Sequence, residues 1–355
     1  MNVFIVGVNG FIGFHLFEAI IEKTDWFVYG LDMDDSCIAK NRYPTRLEFF
    51  KGSMRENLDW IEEKIQQSDV VIPLAAIATP ALYIKQPLKI FEVDFEDNMK
   101  IVKLCAKYNK RIIFPSTSEV YGMSVDSEFV EDTSNLVVGP ICKQRWIYSS
   151  CKQLIDRVIW ALGIEQAFSF TLFRPFNWVG PRLDNVYDPR EGYNRVVTQF
   201  ISNIIHNSPL KLVNGGKQKR CFTYISDGID CLMKIIENKN NLAHNQIFNI
   251  GNPDNHCSIE FVANYIVQWV KINRPEMQSP EIIYISDKSY YGESYEDVAY
   301  RLPSIAKAVS LLGWKPKAGI EEILDTTLEY YLGKNRKVQD VLIVPAGQAG
   351  TLDVE

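Results

Sequence analysis

Tyr148 and Lys152 stand four residues apart and could together carry out proton transfer. Apolar residues recur at positions 151, 154, 155, 158, 159 and 162, which is the spacing of an amphipathic helix. On such a helix the two side chains lie on one face. A lysine cation near a phenol favours the phenolate and lowers the tyrosine pKa from its usual value of about 10. The pair could therefore accept a proton from an alcohol while a hydride leaves to a cofactor, although the same spacing also occurs at Tyr284 and Lys288.

A glycine-rich turn near the start of the chain indicates which cofactor this would be. The turn follows an apolar run at positions 3–6 and precedes apolar residues at helical spacing, which is the context of a dinucleotide-binding motif. Its glycines permit a tight turn and let the backbone approach a pyrophosphate at the helix N-terminus. We expect cofactor contacts from Gly7, Asn9, Gly10, Phe11, Ile12 and Gly13. A second strand ends at Asp32, whose carboxylate suits a ribose and repels a 2′-phosphate, so we expect NAD rather than NADP.

The elements that must position these residues alternate between strands and helices. Apolar runs at 70–74, 111–114 and 170–173 each lead into small or polar residues, among them Ala75, Thr117 and Asn177. The small side chains from Ala75 to Ala78 would let a cofactor lie close. This alternation predicts an α/β fold with a doubly wound parallel Rossmann sheet, which binds ligands at the carboxyl ends of its strands. The motifs named so far all fall at such ends.

Composition excludes several classes of protein. The 355 residues are 46% apolar and carry a net charge of −6, so the composition gives no indication of a basic surface that would bind nucleic acid or an anionic membrane. No apolar run approaches the roughly 20 residues that span a bilayer. The first strand begins near Asn2, which we expect to leave no room for a signal peptide. Seven cysteines without a C-x-x-C pattern indicate reduced thiols in a cytoplasmic protein, and four scattered histidines predict no metal site.

The chain divides into two predicted lobes and a tail. Residues 1–177 form the NAD-binding Rossmann domain, with segments near 222–251 returning to it. Glycine and proline pairs that mark turns recur after Asn177. Residues 178–333 are expected to form a smaller α/β lobe that covers the edge of the sheet where ligands bind. Residues 334–355 show no helical period and are predicted to be a flexible tail.

The glycine-rich turn with Asp32, the Ser/Thr strand end and the Tyr/Lys helix together resemble the extended short-chain dehydrogenase/reductase family over roughly residues 1 to 333. The resemblance implies that Tyr148 is the base for a sugar hydroxyl. It implies that Lys152 holds the cofactor ribose and that Thr117 binds the substrate hydroxyl. A nucleotide-sugar substrate and a homodimer are also implied, the latter paired through helices beginning near Ile90 and at Tyr148.

Longer blocks give a finer resemblance. Residues 115–122, 143–149, 173–178, 215–222 and 290–304 are similar to the UDP-glucuronate decarboxylase domain of the bacterial polymyxin-resistance enzymes. Such enzymes oxidise carbon 4 of the glucuronate, which places a ketone β to the carboxylate and lets carbon dioxide leave. The resemblance makes Glu119 and Arg301 the pair that governs the carboxylate and the proton. Related dehydratases carry Asp-Glu where this chain has Ser118-Glu119, which favours decarboxylation.

The same resemblance implies a binding site for the UDP-sugar. Its residues would be Ala78, Tyr83, Thr117, Ser118, Arg145, Asn177, Lys211, Arg220 and Tyr295. Lys211, Lys217, Lys219 and Arg220 form a basic cluster in an acidic protein, which suits a diphosphate.

The sequence differs from many members of the family at a position expected to contact the adenine of the cofactor. Many relatives carry an aspartate after the glycine of the third strand, whereas here Gly52 is followed by Ser53 and Met54. We expect Ser53 and Met54 to contact the cofactor, so that the contact with the adenine is altered and NAD binding is retained.

Three questions stay open at this point. The product is either UDP-4-keto-pentose with NADH, or UDP-xylose after the ketone is reduced again. A nucleotide-sugar 4-epimerase or dehydratase shares the fold and the Tyr/Lys pair. A protein that binds NAD without turnover would share the fold as well, because a fold alone does not imply activity.

Overall fold

Parallel strands build the central sheet, as the sequence predicts. The computed structural model describes residues 1–38, 44–296, 298 and 300–334. The strands are β1 Asn2–Val6, β2 Phe27–Asp32, β3 Leu47–Lys51, β4 Val70–Pro73, β5 Arg111–Pro115, β6 Phe170–Pro175, β7 Trp178–Val179, β8 Leu210–Val213, β9 Lys219–Cys221, β10 Thr223–Tyr224, β11 Gln246–Ile250, β12 His256–Ser258 and β13 Ile282–Ile285. Seven of them form one sheet in the order β11-β6-β5-β4-β1-β2-β3, and all its neighbours run parallel. The order reverses between β1 and β4, which is the point where such sheets bind ligands.

Helices cover both faces of the sheet. They are α1 Phe11–Lys23, α2 Leu58–Gln67, α3 Pro80–Lys85, α4 Pro87–Ile90, α5 Asn98–Lys107, α6 Trp146–Gln166, α7 Val196–Ile205, α8 Ile225–Glu237, α9 Ile259–Asn273, α10 Asp287–Tyr291, α11 Ala306–Leu312 and α12 Ile320–Leu332. Alternate residues of β1 show why two cores form. Val3 and Ile5 join the core that contains α1 and α8, whereas Phe4 and Val6 join the core of α2, α5 and α6.

The helix that the sequence suggests from Ile90 to Tyr108 is interrupted. Between α4 and α5, residues Phe91–Asp97 form a π-helical turn, in which the backbone is wider than in an α-helix. Its side chains therefore fall at a different angular spacing from that of the apolar pattern. Turns of this kind often lie at functional sites.

The second half of the chain supplies the smaller elements. β8 pairs with β13 in parallel, and β9 pairs with β12 in antiparallel. Of the two segments expected to return to the first lobe, β11 extends the edge of the central sheet, whereas β10 pairs with β7 outside it. The division into domains at residue 177 stays a prediction.

Two further predictions concern the cysteines and the membrane-spanning helices. All seven cysteines are free thiols. Within the described ranges, no helix is long and apolar enough to cross a membrane. The predicted flexible tail falls, from residue 335 onward, outside the described residues.

Candidate active site

The glycine-rich turn after β1 forms a cradle that side chains would fill. Gly7 has a φ of +87°, and a Cβ on it would lie 2.7 Å from the amide nitrogen of Ala75. A Cβ on Gly13 would lie 2.1 Å from the carbonyl oxygen of Gly7. The turn therefore presents bare backbone at the N-terminus of α1, where Phe11 and Ile12 begin the helix. This arrangement fits a pyrophosphate group of NAD.

Asp32 lies at the carboxyl end of β2 beside this turn. Its Oδ2 accepts a hydrogen bond from the amide of Asn9 at 2.8 Å, and its Oδ1 accepts one from the amide of Asp34. Burial raises the pKa of Asp32, and these backbone donors partly offset the rise. The Asn9 side chain in turn accepts from the amides of Cys37 and Ile38, which holds the loop after β2. The carboxylate is thus positioned for the ribose contact that the sequence predicts.

The other residues expected to contact the cofactor follow β3 and β4. The amide of Gly52 donates to the carbonyl oxygen of Asp32 at 2.8 Å, which brings Ser53 and the buried Met54 to the same edge. The amide of Ala75 donates to the carbonyl oxygen of Val6 at 3.0 Å. These strand ends therefore meet beside the glycine-rich turn.

Thr117, Tyr148 and Lys152 come together at the carboxyl end of β5. The Thr117 side chain acts on Tyr148 and opposes the rise in the pKa of its phenol, and Lys152 Nζ donates to the carbonyl oxygen of Pro115 at 3.0 Å. Tyr148 and Lys152 are 6% and 1% exposed, so both face a site shielded from bulk water. The ring of Tyr83 stacks on that of Tyr148 with centroids 4.8 Å apart and planes within 6°.

The expectation that Lys152 lowers the pKa of Tyr148 is wrong for the chain without ligands. Burial raises the pKa of Tyr148, and the negative charges of Asp94 and Glu119 raise it further. Burial also lowers the pKa of Lys152. The sequence shows the helical spacing but cannot show how strongly both groups are removed from water, and burial is the largest cause of the pKa shift of each.

Glu119 is held between two arginines that come from distant parts of the chain. Its Oε2 accepts from Arg145 Nη2 at 2.7 Å, and its Oε1 accepts from Arg301 Nη1 at 2.6 Å. Burial alone would raise the pKa of Glu119, but Arg145 and Arg301, with Arg220 nearby, bring it down to about 2. The amide of Glu119 donates to Thr117 Oγ1 at 3.2 Å, so this charged group adjoins the hydroxyl pair.

Three buried arginines act on Glu119. Arg145, Arg220 and Arg301 are 2%, 8% and 4% exposed, and the charge of each lowers the pKa of Glu119. The guanidinium of Arg145 also lies over the rings of Trp146 and Tyr295, at 4.3 Å and 5.5 Å from the centroids. Buried guanidinium groups can hold a carboxylate or a phosphate through charge-assisted hydrogen bonds.

The remaining residues predicted to bind the substrate differ in their surroundings. Lys211 pairs with Glu191, and Lys217 and Lys219 are exposed, so the basic cluster does not converge as a unit. Arg220 is the member of that cluster that is buried. Ser118 is buried, Ala78 is exposed, and Asn177 adopts a positive φ of 38° with its buried Oδ1 lacking a hydrogen bond.

Sequence reasoning missed one residue at the centre of this site. Asp94 lies in the π-helical turn, is completely buried, and acts electrostatically on both Tyr148 and Lys152. A signal was available, because Asp94 occupies the same apolar stripe as Ile90 and Ile101. A charged residue in such a stripe is expensive to bury and therefore indicates a function.

The parallel sheet, the glycine cradle and the Thr/Tyr/Lys group define a dinucleotide-dependent enzyme of the Rossmann class. The model of the NAD dependent epimerase/dehydratase family matches residues 3–251, and the chain belongs to that family. The predictions of an extended dehydrogenase/reductase family, of an enzyme and of NAD as its cofactor are confirmed at this level.

Solved structures give the same fold. The chain is 45% identical to the PbgP3 protein from Burkholderia pseudomallei, with a TM-score of 0.85 over 97% of this chain and 99% of that one. It is 22% identical to UDP-glucuronic acid 4-epimerase from Bacillus cereus, solved with UDP-glucuronic acid and NAD, with a TM-score of 0.76 over 93% of this chain and 99% of that one. It is 18% identical to dTDP-glucose 4,6-dehydratase from Bacillus anthracis, solved with NAD, with a TM-score of 0.75 over 94% and 97% of the two chains. The last two likenesses show the fold alone.

Proposed function

We propose that this enzyme oxidises UDP-glucuronate at carbon 4 with NAD and releases carbon dioxide, giving UDP-4-keto-pentose. One observation carries the proposal: Glu119 lies between Arg145 and Arg301, at 2.7 and 2.6 Å, directly beside the Thr117 and Tyr148 hydroxyls. An oxidation site alone needs only the hydroxyl pair. The buried arginines that hold Glu119 supply what a substrate carboxylate and its departure would need in addition.

Oxidation assigns the first set of roles. Thr117 binds the carbon-4 hydroxyl, and Tyr148 takes its proton as general base. NAD, when bound, accepts the hydride. Lys152 would hold the cofactor ribose, and its ammonium lies 6.0 Å from the centre of the Tyr148 ring. The positive charge of a bound oxidised cofactor would oppose the effect of burial on the pKa of Tyr148.

Loss of carbon dioxide assigns the second set. The electron pair of the broken bond stays on the sugar as an enolate, and a nearby guanidinium stabilises that charge as it develops. Arg301 is placed for this, because it is buried and its Nε has no hydrogen-bond partner. Glu119 orients both arginines and remains ionised, since its pKa of about 2 lies far below neutral pH. The carboxylate of the substrate then competes with Glu119 for the arginines.

The rest of the substrate would lie across the smaller lobe. Arg220, which is buried, would bind the diphosphate, and Tyr295 stacks on Tyr291 with centroids 3.9 Å apart beside Arg145. Tyr83 closes the site over Tyr148, and Asn177 offers an unpartnered carbonyl oxygen to a donor such as a sugar hydroxyl. Ala78, Ser118 and Lys211 complete the proposed set.

A single incubation tests the activity. The purified protein is mixed with UDP-glucuronate and NAD, the UDP-sugars are followed by mass spectrometry and NMR, and NADH is followed by absorbance. Loss of carbon dioxide with accumulating NADH supports the proposal. Loss without NADH means that UDP-xylose is the product. Conversion to an isomer of equal mass identifies a 4-epimerase, loss of water identifies a dehydratase, and tight NAD binding with no conversion leaves a binding protein.

Two variants separate decarboxylation from oxidation. Glu119→Gln and Arg301→Met should abolish carbon dioxide release, because the first removes the anion that orients both arginines and the second removes the guanidinium that stabilises the enolate. Exposed residues supply matched controls: Glu63→Gln removes a partner of Lys64, and Arg190→Met removes the partner of Asp188. If the site variants release carbon dioxide as fast as these controls, the roles given to Glu119 and Arg301 are wrong.

The proposal extends to assembly and location. We place the protein in the cytoplasm, where its free thiols stay reduced. We expect a homodimer, because helix α6 exposes Leu154 and Ile164 at 49% and 74%, while helix α4 exposes Leu88 at 73% and the π-helical turn after it exposes Phe91 at 39%. Leu154→Glu should convert a dimer to a monomer in sedimentation. An unchanged sedimentation coefficient would exclude pairing through this helix.

A further inference from the structure

A chain of buried side chains joins the turn that carries Glu119 to the segment that carries Arg301. Tyr121 is the last residue of the short 3-10 turn that also holds Glu119, and it is completely buried. Its hydroxyl accepts a hydrogen bond from Arg174 Nη1 at 2.8 Å and donates one to Asn249 Oδ1 at 2.8 Å. Neither Tyr121 nor Asn249 has a role in the oxidation or the decarboxylation proposed for the site.

The side chain of Asn249 spans the gap between two further segments of backbone. Asn249 lies in β11 and is completely buried. Its Nδ2 donates to the carbonyl oxygen of Phe129 at 2.8 Å and to that of Ser304 at 3.2 Å. Because its Oδ1 accepts from Tyr121, the amide group uses its oxygen and both of its donors. The two carbonyl neighbours also fix the orientation of the amide, since only its nitrogen can donate to them.

Phe129 and Ser304 belong to the contact that places Arg301. Arg301 lies between α10 and α11, outside any helix or strand. The amide of Phe129 donates to the carbonyl oxygen of Leu302 at 2.7 Å, and the amide of Ser304 donates to that of Phe129 at 2.9 Å. Within the side chain of Arg301, Nη1 donates to Glu119 and Nε makes no hydrogen bond. The direction of the guanidinium therefore depends on where this backbone contact holds the chain.

The surroundings of Tyr121 make its hydroxyl expensive to bury. Its ring stacks on that of Phe129 with centroids 4.5 Å apart, inside a small apolar cluster. A phenylalanine would fill the same space without a buried hydroxyl that needs hydrogen bonds. Buried polar networks whose members are all satisfied make a core rigid and specify one arrangement of it. Here the two segments that the network fixes are those that carry Glu119 and Arg301.

We propose that Tyr121 and Asn249 are positioning residues for the decarboxylation. Their hydrogen bond sets the distance between the turn that carries Glu119 and the segment that carries Arg301, which keeps the guanidinium beside the substrate carboxylate. This inference rests on the proposed function. Small displacements matter at such a site, because a misplacement of about 1 Å can lower a rate about 10²-fold.

The oxidation should not depend on this hydrogen bond. Lys152 Nζ is held by the carbonyl oxygen of Pro115 at 3.0 Å, and Tyr148 lies on the same helix α6. Oxidation breaks the carbon-4 C–H and O–H bonds, sends the hydride to NAD and the proton to Tyr148, and leaves UDP-4-keto-glucuronate with its carboxylate in place. If the positioning is lost, this ketone should accumulate before carbon dioxide leaves.

Tyr121→Phe removes the hydroxyl and keeps the ring, so it tests the hydrogen bond directly. Enzyme in excess is mixed with NAD and UDP-glucuronate, NADH is followed by stopped-flow absorbance, and samples are quenched with borodeuteride. The quench reduces either ketone, so mass spectrometry measures the two steps as deuterium-labelled UDP-hexuronate and UDP-pentose. NADH should form within about a factor of two of the wild-type rate, whereas carbon dioxide release should slow about tenfold and labelled UDP-hexuronate should accumulate.

Thr171→Val is the matched control for this variant. Thr171 is completely buried in β6, and its hydroxyl accepts from Arg111 Nη2 at 3.0 Å and donates to the carbonyl oxygen of Ala243 at 2.7 Å. The control therefore loses a buried hydroxyl that also lies between an arginine and a carbonyl, but near the amino end of the strand. It should keep the wild-type ratio of the two rates. If Tyr121→Phe keeps that ratio as well, the proposal is overturned.

A double-mutant cycle tests the positioning without any turnover. The ion pair of Glu119 and Arg301 stabilises the fold only while its geometry is held, so Glu119→Gln should shift the urea midpoint by about half as much in Tyr121→Phe as in the wild type. In Thr171→Val the shift should equal that of the wild type. Equal shifts in all three backgrounds overturn the proposal.

The two experiments separate this inference from the proposed function. If the wild type converts no UDP-glucuronate but the cycle shows the reduced shift, the pair is positioned as proposed and the decarboxylase assignment is wrong. Should Tyr121→Phe not fold, Asn249→Ser replaces it, because the shorter side chain cannot reach Tyr121, Phe129 and Ser304 together. This variant must then give the slowed carbon dioxide release at an unchanged rate of NADH formation, and the reduced shift in the cycle. If it gives neither, the proposal is overturned.

Discussion

Replacing Glu119 by glutamine removes one charge from the centre of the site and should destabilise the protein measurably. The two arginines lower the pKa of Glu119 from an ordinary value of 4.5 to about 2. That difference of about 2.5 units, at about 1.4 kcal/mol per unit, corresponds to about 3 kcal/mol of folding free energy at pH 7. The side chain is 19% exposed, so solvent screens the interaction only in part. Removing one partner of a buried ion pair typically costs a similar amount.

The pH dependence of this cost gives the sharper test. A carboxyl group with a lowered pKa in the folded state contributes stability above its unfolded value of 4.5 and loses it as pH falls toward 2. Urea unfolding followed by tryptophan fluorescence should therefore show a difference of about 3 kcal/mol at pH 7 and less than half of that near pH 3. A difference below about 1 kcal/mol at pH 7, or one that does not change with pH, would refute the electrostatic reasoning.

Glu131 provides the matched control for this experiment. It is also a buried glutamate, and its Oε1 accepts a hydrogen bond from the amide of Asn249 at 2.8 Å. Burial raises the pKa of Glu131, the opposite of the shift at Glu119. Glu131→Gln keeps an acceptor for Asn249 and removes a charge that is unfavourable to bury. It should therefore cost less than about 1 kcal/mol at pH 7, or stabilise the protein.

Three further predictions concern the cofactor and the base. Lys152→Met should slow NADH formation by about 10²- to 10⁴-fold in stopped-flow absorbance, because the cation beside Tyr148 is lost; a rate within a factor of two of wild type would contradict its role. Gly13→Ala should weaken NAD binding in fluorescence titration, because its Cβ would lie 2.1 Å from a backbone oxygen. Gly10→Ala, whose Cβ would lie 3.3 Å from the same oxygen, should affect binding far less. Equal losses of affinity would show that NAD binding does not depend on the close backbone contact at Gly13. Asp32→Ala should raise the affinity for NADP relative to NAD, since the carboxylate that repels a 2′-phosphate is gone, and an unchanged ratio would mean that Asp32 does not face the ribose.

Local sequence was sufficient to predict the glycine-rich turn and the helix that carries Tyr148 and Lys152. The positions of Gly7 and Gly13 could be predicted from their spacing. A residue with a side chain fits at neither position, because Gly7 has a positive φ and a Cβ on either residue would come within 3 Å of backbone atoms. Tyr148 and Lys152 could be placed on one face because helical periodicity extends through α6. Resemblance added Glu119 and Arg301, whose roles no periodic pattern would suggest.

Only the tertiary structure decided how these groups act on one another. Arg301 reaches Glu119 across 182 residues of sequence, and Lys219 is exposed while Arg220 is buried because successive side chains of β9 point to opposite faces. The π-helical turn, which the apolar pattern did not indicate, brings Asp94 under the catalytic helix. The sequence determined which charges the site contains. Their pKa values depend on burial and on distant neighbours, both of which arise only when the chain packs.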